Sequence, residues 1–130
     1  MSTSVLPASA LLDLAAQGLT AAEEADLPGQ RYALAHLAAL RTAAAVLSCR
    51  AAPSGPVGRR SRPGSAWDLL ARVAPELAEW AQFFAAGARK RSAAEAGLAG
   101  AVTLREADDL VRDARTFLSV VGTTLLARAS

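Results

Sequence analysis

Two residues of one apolar segment carry the side chains that metal-free RNA cleavage requires. Arg31 and His36 are separated by four residues, the arrangement R-x4-H. An arginine can hold a phosphate group and a histidine exchanges a proton near neutral pH, so the pair has the groups for cleaving RNA. The sequence equally fits a packed histidine bonded to a neighbouring helix, because His36 falls on the same helical side as Leu40 and Leu47.

Further arginines form a basic middle segment, which predicts contacts with phosphate groups. Between residues 31 and 91 there are ten basic and three acidic residues, whereas the whole chain has a net charge of +2. A domain that recruits long duplex DNA by charge alone is usually more basic overall. Besides Arg31, the residues expected to contact phosphates of a nucleic acid are Arg41, Arg50, Arg59, Arg60 and Arg62.

The sequence predicts neither a metal nor another cofactor. One cysteine and one histidine are too few for a zinc or iron–sulfur site in a monomer, and neither glycine-rich nucleotide-binding motif is present. Asp108, Asp109 and Asp113 are predicted to lie on the solvent side of the last helix. Cys49 ends an alanine-rich segment, which favours a buried structural cysteine over a nucleophile.

Composition indicates which elements position these side chains. The chain is 52% hydrophobic but only 5% aromatic, because alanine and leucine, both strong helix formers, dominate it. We therefore predict an all-α fold, a compact bundle of about five helices in a single domain that spans 1–130. Proline, glycine and arginine crowd residues 51–64, which predicts a flexible loop.

The segment from Arg31 to Arg50 is apolar on nearly the whole circumference of a helix, so it should lie inside the bundle or in a subunit interface. We expect this central helix to form a homodimer contact. A later helix, from Pro75 to Arg91, should bury Trp80 and Phe84 and end in three cations that complement its dipole.

The last helix has the clearest periodicity. Thr103 and Glu106 have the spacing of a capping box, which predicts its start. Asp108 and Arg112 are predicted to pair one turn apart. Phe83 lies at the edge of the apolar face of the preceding helix, and its role stays open.

The start of the chain lacks a basic and apolar secretion signal, and charged residues interrupt every apolar stretch. A single cysteine cannot form an internal disulfide. We therefore expect a cytoplasmic protein that does not enter the membrane.

Three stretches resemble a small group of actinobacterial proteins, the SAV-like family of the HEPN superfamily: RYALAHLAALRTAAAVL, SAWDLLARVAPELAEWAQFFAAGARKR and READDLVRDA. The resemblance implies an up-and-down bundle of four to five helices, often dimeric. Its superfamily includes RNA-cutting toxins, RNA-binding modules and nucleotide-binding partners of nucleotidyltransferases. It also implies that Arg31 and His36 match the ribonuclease motif by spacing. Tyr32 departs from that motif, because the residue after the arginine is usually polar.

The leading hypothesis is therefore an RNA-binding or nucleotide-binding HEPN module that is non-catalytic or a degenerate ribonuclease. The alternative is an adaptor that binds an unidentified cytoplasmic protein and has no nucleic-acid role. The third hypothesis is an active, metal-independent ribonuclease that uses Arg31 and His36.

Overall fold

The computed structural model describes residues 7–50, 65–98 and 100–129, and all regular structure in these ranges is helical. The helices Ala78–Ala86 and Ala88–Glu95 are separated by Gly87 alone and count as one interrupted helix, which confirms the predicted all-α bundle of about five helices. The predicted loop at 51–64 lies outside the described residues. The elements are α1 (Ala8–Glu24), α2 (Pro28–Arg50), α3 (Ser65–Val73), a 3-10 turn (Pro75–Leu77), α4 (Ala78–Ala86), α5 (Ala88–Glu95) and α6 (Leu104–Ala129).

The helix α2 is central, as predicted, and begins at Pro28, three residues earlier than expected. Proline suits the first turn, where its missing N–H has no helical partner to lose. Its buried face is mostly alanine, which lets α1 and α6 approach closely. Ala15, Leu19 and Ala22 fill the facing side of α1.

Four aromatic rings join α3, α4 and α6 beside this alanine face. Phe84 and Phe117 are fully buried with centroids 5.1 Å apart, and Trp67 stacks on Phe84 at 5.2 Å. Trp80 lies 5.3 Å from Phe117. Such pairs add about 0.5–1.5 kcal/mol each beyond the burial of their area. The cluster confirms the predicted core role of Trp80 and Phe84.

The direction of α3 follows from two contacts with α2. Trp67, near the start of α3, contacts His36, whereas Glu76, beyond the end of α3, pairs with Arg50 at 2.5 Å. The helix α3 therefore runs parallel to α2, and α4 returns towards the start of α2. This arrangement brings Phe84 back to the level of His36.

The capping box at the start of α6 is confirmed. The Thr103 N–H donates to Glu106 Oε1 at 2.9 Å, and the Glu106 N–H donates to Thr103 Oγ1 at 3.0 Å. Two of the first N–H groups of the helix are thereby satisfied. The predicted apolar stripe of α6 also packs into the core, as Ala107, Leu110, Val111, Ala114, Phe117 and Val121.

The prediction that a helix ends at residues 89–91 is wrong. After Gly87 the chain continues as α5 to Glu95, because Lys90 pairs with Glu106 at 2.5 Å and Arg91 pairs with Glu95 at 2.9 Å. The helix ends instead at Glu95 and is followed by a turn at Gly97, whose φ of 77° is one that glycine adopts easily. The Gly97 N–H then donates to the carbonyl oxygen of Ala94, and the Leu98 N–H donates to that of Ala93.

The outward side of α2 is also apolar. Leu37, Leu40 and Leu47 are only partly buried, together with Ala33 and Ala44, and their spacing of four and three residues places them in one stripe on the less buried side of the helix. Leu40 and Leu47 also pack against the edge of the core. Within the described residues α2 is the helix with the length and composition to cross a membrane, but half of that window is buried in the bundle. Core helices of soluble domains share these properties.

The bend at Gly87 depends on the absence of a side chain. A Cβ at this position would lie 2.8 Å from Tyr32 Oη, and Tyr32 is buried under the bend. The next atoms are Phe84 O at 3.6 Å and His36 Cδ2 at 3.9 Å. The tyrosine hydroxyl is therefore the obstacle to a larger residue.

We predict that Gly87→Ala lowers the free energy of unfolding by about 1–3 kcal/mol, because the added methyl overlaps this hydroxyl. In a Tyr32→Phe background the same change should cost clearly less, since the obstacle is gone. Urea unfolding of the wild type, both single variants and the double variant measures the coupling. Equal costs in both backgrounds would show that the overlap is not the cause.

Candidate functional site

His36 is packed among aromatic rings. Its side chain is 1% exposed, and it meets Trp67 and Phe84 edge-on at 5.9 and 6.2 Å. Its Nε2 lies 3.0 Å from the carbonyl oxygen of Phe84. Because a carbonyl only accepts hydrogen bonds, Nε2 must carry the proton. The unprotonated Nδ1 is buried and has no partner among the described residues.

The environment of His36 keeps the imidazole neutral. Burial lowers the pKa of His36, and the hydrogen bond to Phe84 opposes that shift only in part. A general base must reach the proton that it abstracts, and neither nitrogen of this ring reaches the surface. The position therefore favours a packing role.

Arg31 binds the end of α1 and the start of α6. Its Nη2 donates to the carbonyls of Ala25 and Glu23 at 2.8 and 3.3 Å, and its Nη1 donates to Asp108 at 2.5 Å. These carbonyls lie at the negative end of α1, where a cation is stabilising. The guanidinium Nε is buried without a partner among the described residues.

The structure does not bring Arg31 and His36 together in one protomer. Arg31 contacts α1 and α6, whereas His36 contacts α3 and α4. The two side chains point to different sides of α2. Catalysis by this pair remains a prediction, and this geometry does not favour it.

A groove of about 400 Å³ adjoins Arg31 between α1, α2 and α6. Three guanidinium groups reach it, from Arg31, Arg112 and Arg115, together with two carboxylates, from Glu23 and Asp108. Arg115 Nε donates to Glu23 at 2.8 Å, and this bond lowers the pKa of Glu23 and raises that of Arg115. We call these five charged residues the arginine groove.

The predicted pair between Asp108 and Arg112 is wrong. Asp108 pairs instead with Arg31 from α2, and Arg112 pairs with Asp109 and Asp113 at 3.2 and 3.3 Å. Spacing on one helix could not show that a second helix supplies a competing arginine. For the same reason Arg112 and Arg115 were not expected in a site.

The other arginines predicted to bind phosphate are dispersed. Arg50 pairs with Glu76 at the far end of α2. Arg41 is partly exposed beside α1, with a guanidinium nitrogen 4.0 Å from where a Cβ of Gly18 would lie. Arg59, Arg60 and Arg62 lie outside the described residues.

Cys49 and Phe83 are both exposed. The prediction that Cys49 is buried is wrong, since its side chain is exposed at the last turn of α2, beyond the packed alanine face. Phe83 is 47% exposed on α4. Among the described residues, no three histidine, cysteine or acidic side chains form a group that could hold a metal.

We predict that His36 makes the fold less stable in mildly acidic solution. In the unfolded chain its pKa returns to about 6.5, above that of the folded state, so unfolding takes up a proton below that pH. The stability is complete above about pH 6.5 and is lost as the pH falls towards the lower pKa of the folded state. Urea unfolding between about pH 8 and pH 5.5 should show the decline.

The matched variant is His36→Gln, whose amide can still donate to the Phe84 carbonyl but does not titrate. It should be less stable than the wild type at pH 8 and should lose less stability on acidification. Titration of Glu23 and Glu106 does not contribute to the decline between pH 8 and pH 5.5, because both carboxyl groups have lowered pKa values. An identical decline in both proteins would contradict the prediction.

Comparison with known proteins identifies the fold family. Neither the curated proteins nor the solved structures contain a significant match. The family model described as HEPN_SAV_6107-like HEPN matches residues 22–122, from the end of α1 through most of α6. The matched part includes Arg31, His36 and all five residues of the arginine groove. Because this match covers well over half of the 130 residues, the chain belongs to the HEPN_SAV_6107-like HEPN family.

Proposed function

We propose that this HEPN domain is a non-catalytic cytoplasmic module that binds RNA or a nucleotide through phosphate groups at the arginine groove. The observation that carries the proposal is the convergence of Arg31, Arg112 and Arg115 from two helices. Their forks of N–H donors match the oxygens of a phosphate.

The present partners of Arg112 are replaceable. Arg112 is 66% exposed and its bonds to Asp109 and Asp113 are long, at 3.2 and 3.3 Å. Exposed ion pairs of this kind contribute only about 0–1 kcal/mol. A phosphate can therefore take the place of a carboxylate at little cost.

The non-catalytic part of the proposal rests on the absence of a suitable base in the groove. His36 is not among its lining residues and is buried elsewhere. The two groove carboxylates each bind an arginine, and the lowered pKa of Glu23 makes it a weak base. Arg41 and the arginines at 59, 60 and 62 are further cations for a longer RNA in this proposal, and Arg50 is held by Glu76.

We predict that a fluorescein-labelled single-stranded RNA binds more weakly as salt rises, because bound cations release counterions from phosphates. The Arg112→Gln/Arg115→Gln variant should lower the slope of log affinity against log salt by about 1.4, the value for two lost contacts. Fluorescence anisotropy over a series of salt concentrations gives this slope. A nucleoside triphosphate should compete with the RNA.

The control is Arg72→Gln/Arg89→Gln, which removes two exposed arginines outside the groove and should leave the slope unchanged. Binding that is absent or insensitive to salt would refute the phosphate site. The RNA recovered from these samples should keep its length. Shortening by the wild type that disappears in His36→Gln would refute the non-catalytic part and support a ribonuclease.

We also propose a homodimer through α2. Its outward stripe of Ala33, Leu37, Leu40, Ala44 and Leu47 has the spacing of a coiled-coil seam and is only partly buried in one protomer. Leu40 and Leu47 lie at the edge of the stripe and also pack against the core, whereas Leu37 is not part of the core cluster or the layer packed against it. A second α2 would cover this stripe and account for a central helix that is apolar on both sides.

Sedimentation equilibrium tests this contact. We expect the wild type to be dimeric and Leu37→Glu to be monomeric with an unchanged helical circular dichroism spectrum, since a buried charge at a dimer seam is unfavourable. Leu27→Glu is the control, because Leu27 is exposed outside the stripe, and it should stay dimeric. A monomeric wild type, or a dimer that survives Leu37→Glu, would exclude this interface.

The second candidate function is an adaptor that binds another protein. Large apolar side chains exposed on the described surface favour it, and Leu27 and Leu98 border a groove of about 610 Å³ at the start of α2. Binding through this surface would depend little on salt, which separates it from phosphate binding.

A further inference from the structure

Phe83 lies between two depressions on the face formed by α4 and α6. One depression, of about 340 Å³, is lined by Glu79, Trp80, Phe83 and Asp113, and the other, of about 280 Å³, also includes Phe83 and Asp113. We call this surface the Phe83 face. It is distinct from the large groove at Leu27 and Leu98.

The aromatic platform of this face is held by the core. The Phe83 ring meets the buried Phe84 ring edge-on at 5.0 Å, while Trp80 stacks on Phe84 at 6.0 Å. Phe83 nevertheless remains 47% exposed. An exposed ring that is fixed from below loses little conformational entropy when a ligand covers it.

The rim of the Phe83 face has an excess of acid. Four carboxylates and two cations line the two depressions, and Lys90 is already paired with Glu106. Arg112 is shared between Asp109 and Asp113. Glu79 has no partner among the described residues and is exposed. The net charge repels phosphate and attracts a cation.

We propose that the Phe83 face binds an arginine-containing basic segment of a partner protein. An arginine side chain is planar, so it can stack on the exposed Phe83 ring while its N–H groups donate to Glu79 and Asp113. The second depression, beside Asp109 and Glu106, takes a neighbouring basic side chain of the same segment. Arginine suits this face better than lysine because a compact ammonium ion cannot stack in this way.

This inference specifies a partner for the adaptor function and does not depend on phosphate binding. The arginine groove and the Phe83 face have opposite charge preferences, so the RNA experiment and the peptide experiment can fail separately. Nucleic acid is the competing occupant, and the acidic rim argues against it.

The probe is a fluorescein-labelled peptide in which arginines alternate with pairs of alanines, compared with its lysine counterpart. We expect the wild-type chain to bind the arginine peptide more tightly than the lysine peptide. Glu79→Gln and Phe83→Leu should each weaken that binding by about two- to fivefold, because one removes an exposed counter-charge and the other the aromatic ring.

Glu24→Gln is the matched control, since Glu24 is an exposed acid on α1 outside the Phe83 face, and it should change the affinity less than about twofold. The Phe83→Leu change keeps an apolar side chain at a half-exposed site, and circular dichroism confirms its fold. If Glu24→Gln weakened peptide binding as much as Glu79→Gln, the effect would come from overall charge and the proposal would be overturned. Equal peptide affinity of the wild type and Phe83→Leu would also overturn it. So would a result in which Glu79→Gln and Phe83→Leu weaken RNA binding and leave peptide binding unchanged.

Discussion

The contact between α2 and the bend at Gly87 is the constraint on which the rest of the bundle depends. Tyr32 and His36 lie under this bend, and the carbonyl of Phe84 accepts both the Gly87 N–H and the His36 Nε2–H. Because His36 adds a second hydrogen bond to this carbonyl and Gly87 has no Cβ, the chain turns closely over α2. This bend directs α5 back along the start of α2, where Ala94 packs near Gly29.

The same constraint decides what His36 can do. A ring that fixes the bend must keep its Nε2 proton on the Phe84 carbonyl, and the surrounding rings of Trp67 and Phe84 exclude water from it. The residue that has the chemistry of a general base is therefore packed in the core. Polar groups that meet solvent lie on the outer surfaces of α2, α4 and α6.

These outer surfaces differ in chemistry. The arginine groove presents guanidinium groups from α2 and α6, and the Phe83 face presents an aromatic ring with an acidic rim. The outward stripe of α2 is apolar. In our proposals a small bundle thereby offers separate surfaces for phosphate, for a basic segment and for a second copy. Arg112 lines both charged surfaces, so occupation of one affects the charge of the other.

Sequence periodicity determined the helical class, the central position of α2, the capping box at Thr103 and the apolar stripe of α6, because these depend on spacing within one segment. The tertiary structure alone decided which partner each charge takes: Asp108 pairs with Arg31 and not with Arg112, and His36 is separated from Arg31. It also decided that Cys49 is exposed and that α5 continues past residue 91. Ion pairs and burial depend on neighbours distant in the chain, whose approach a local pattern does not encode.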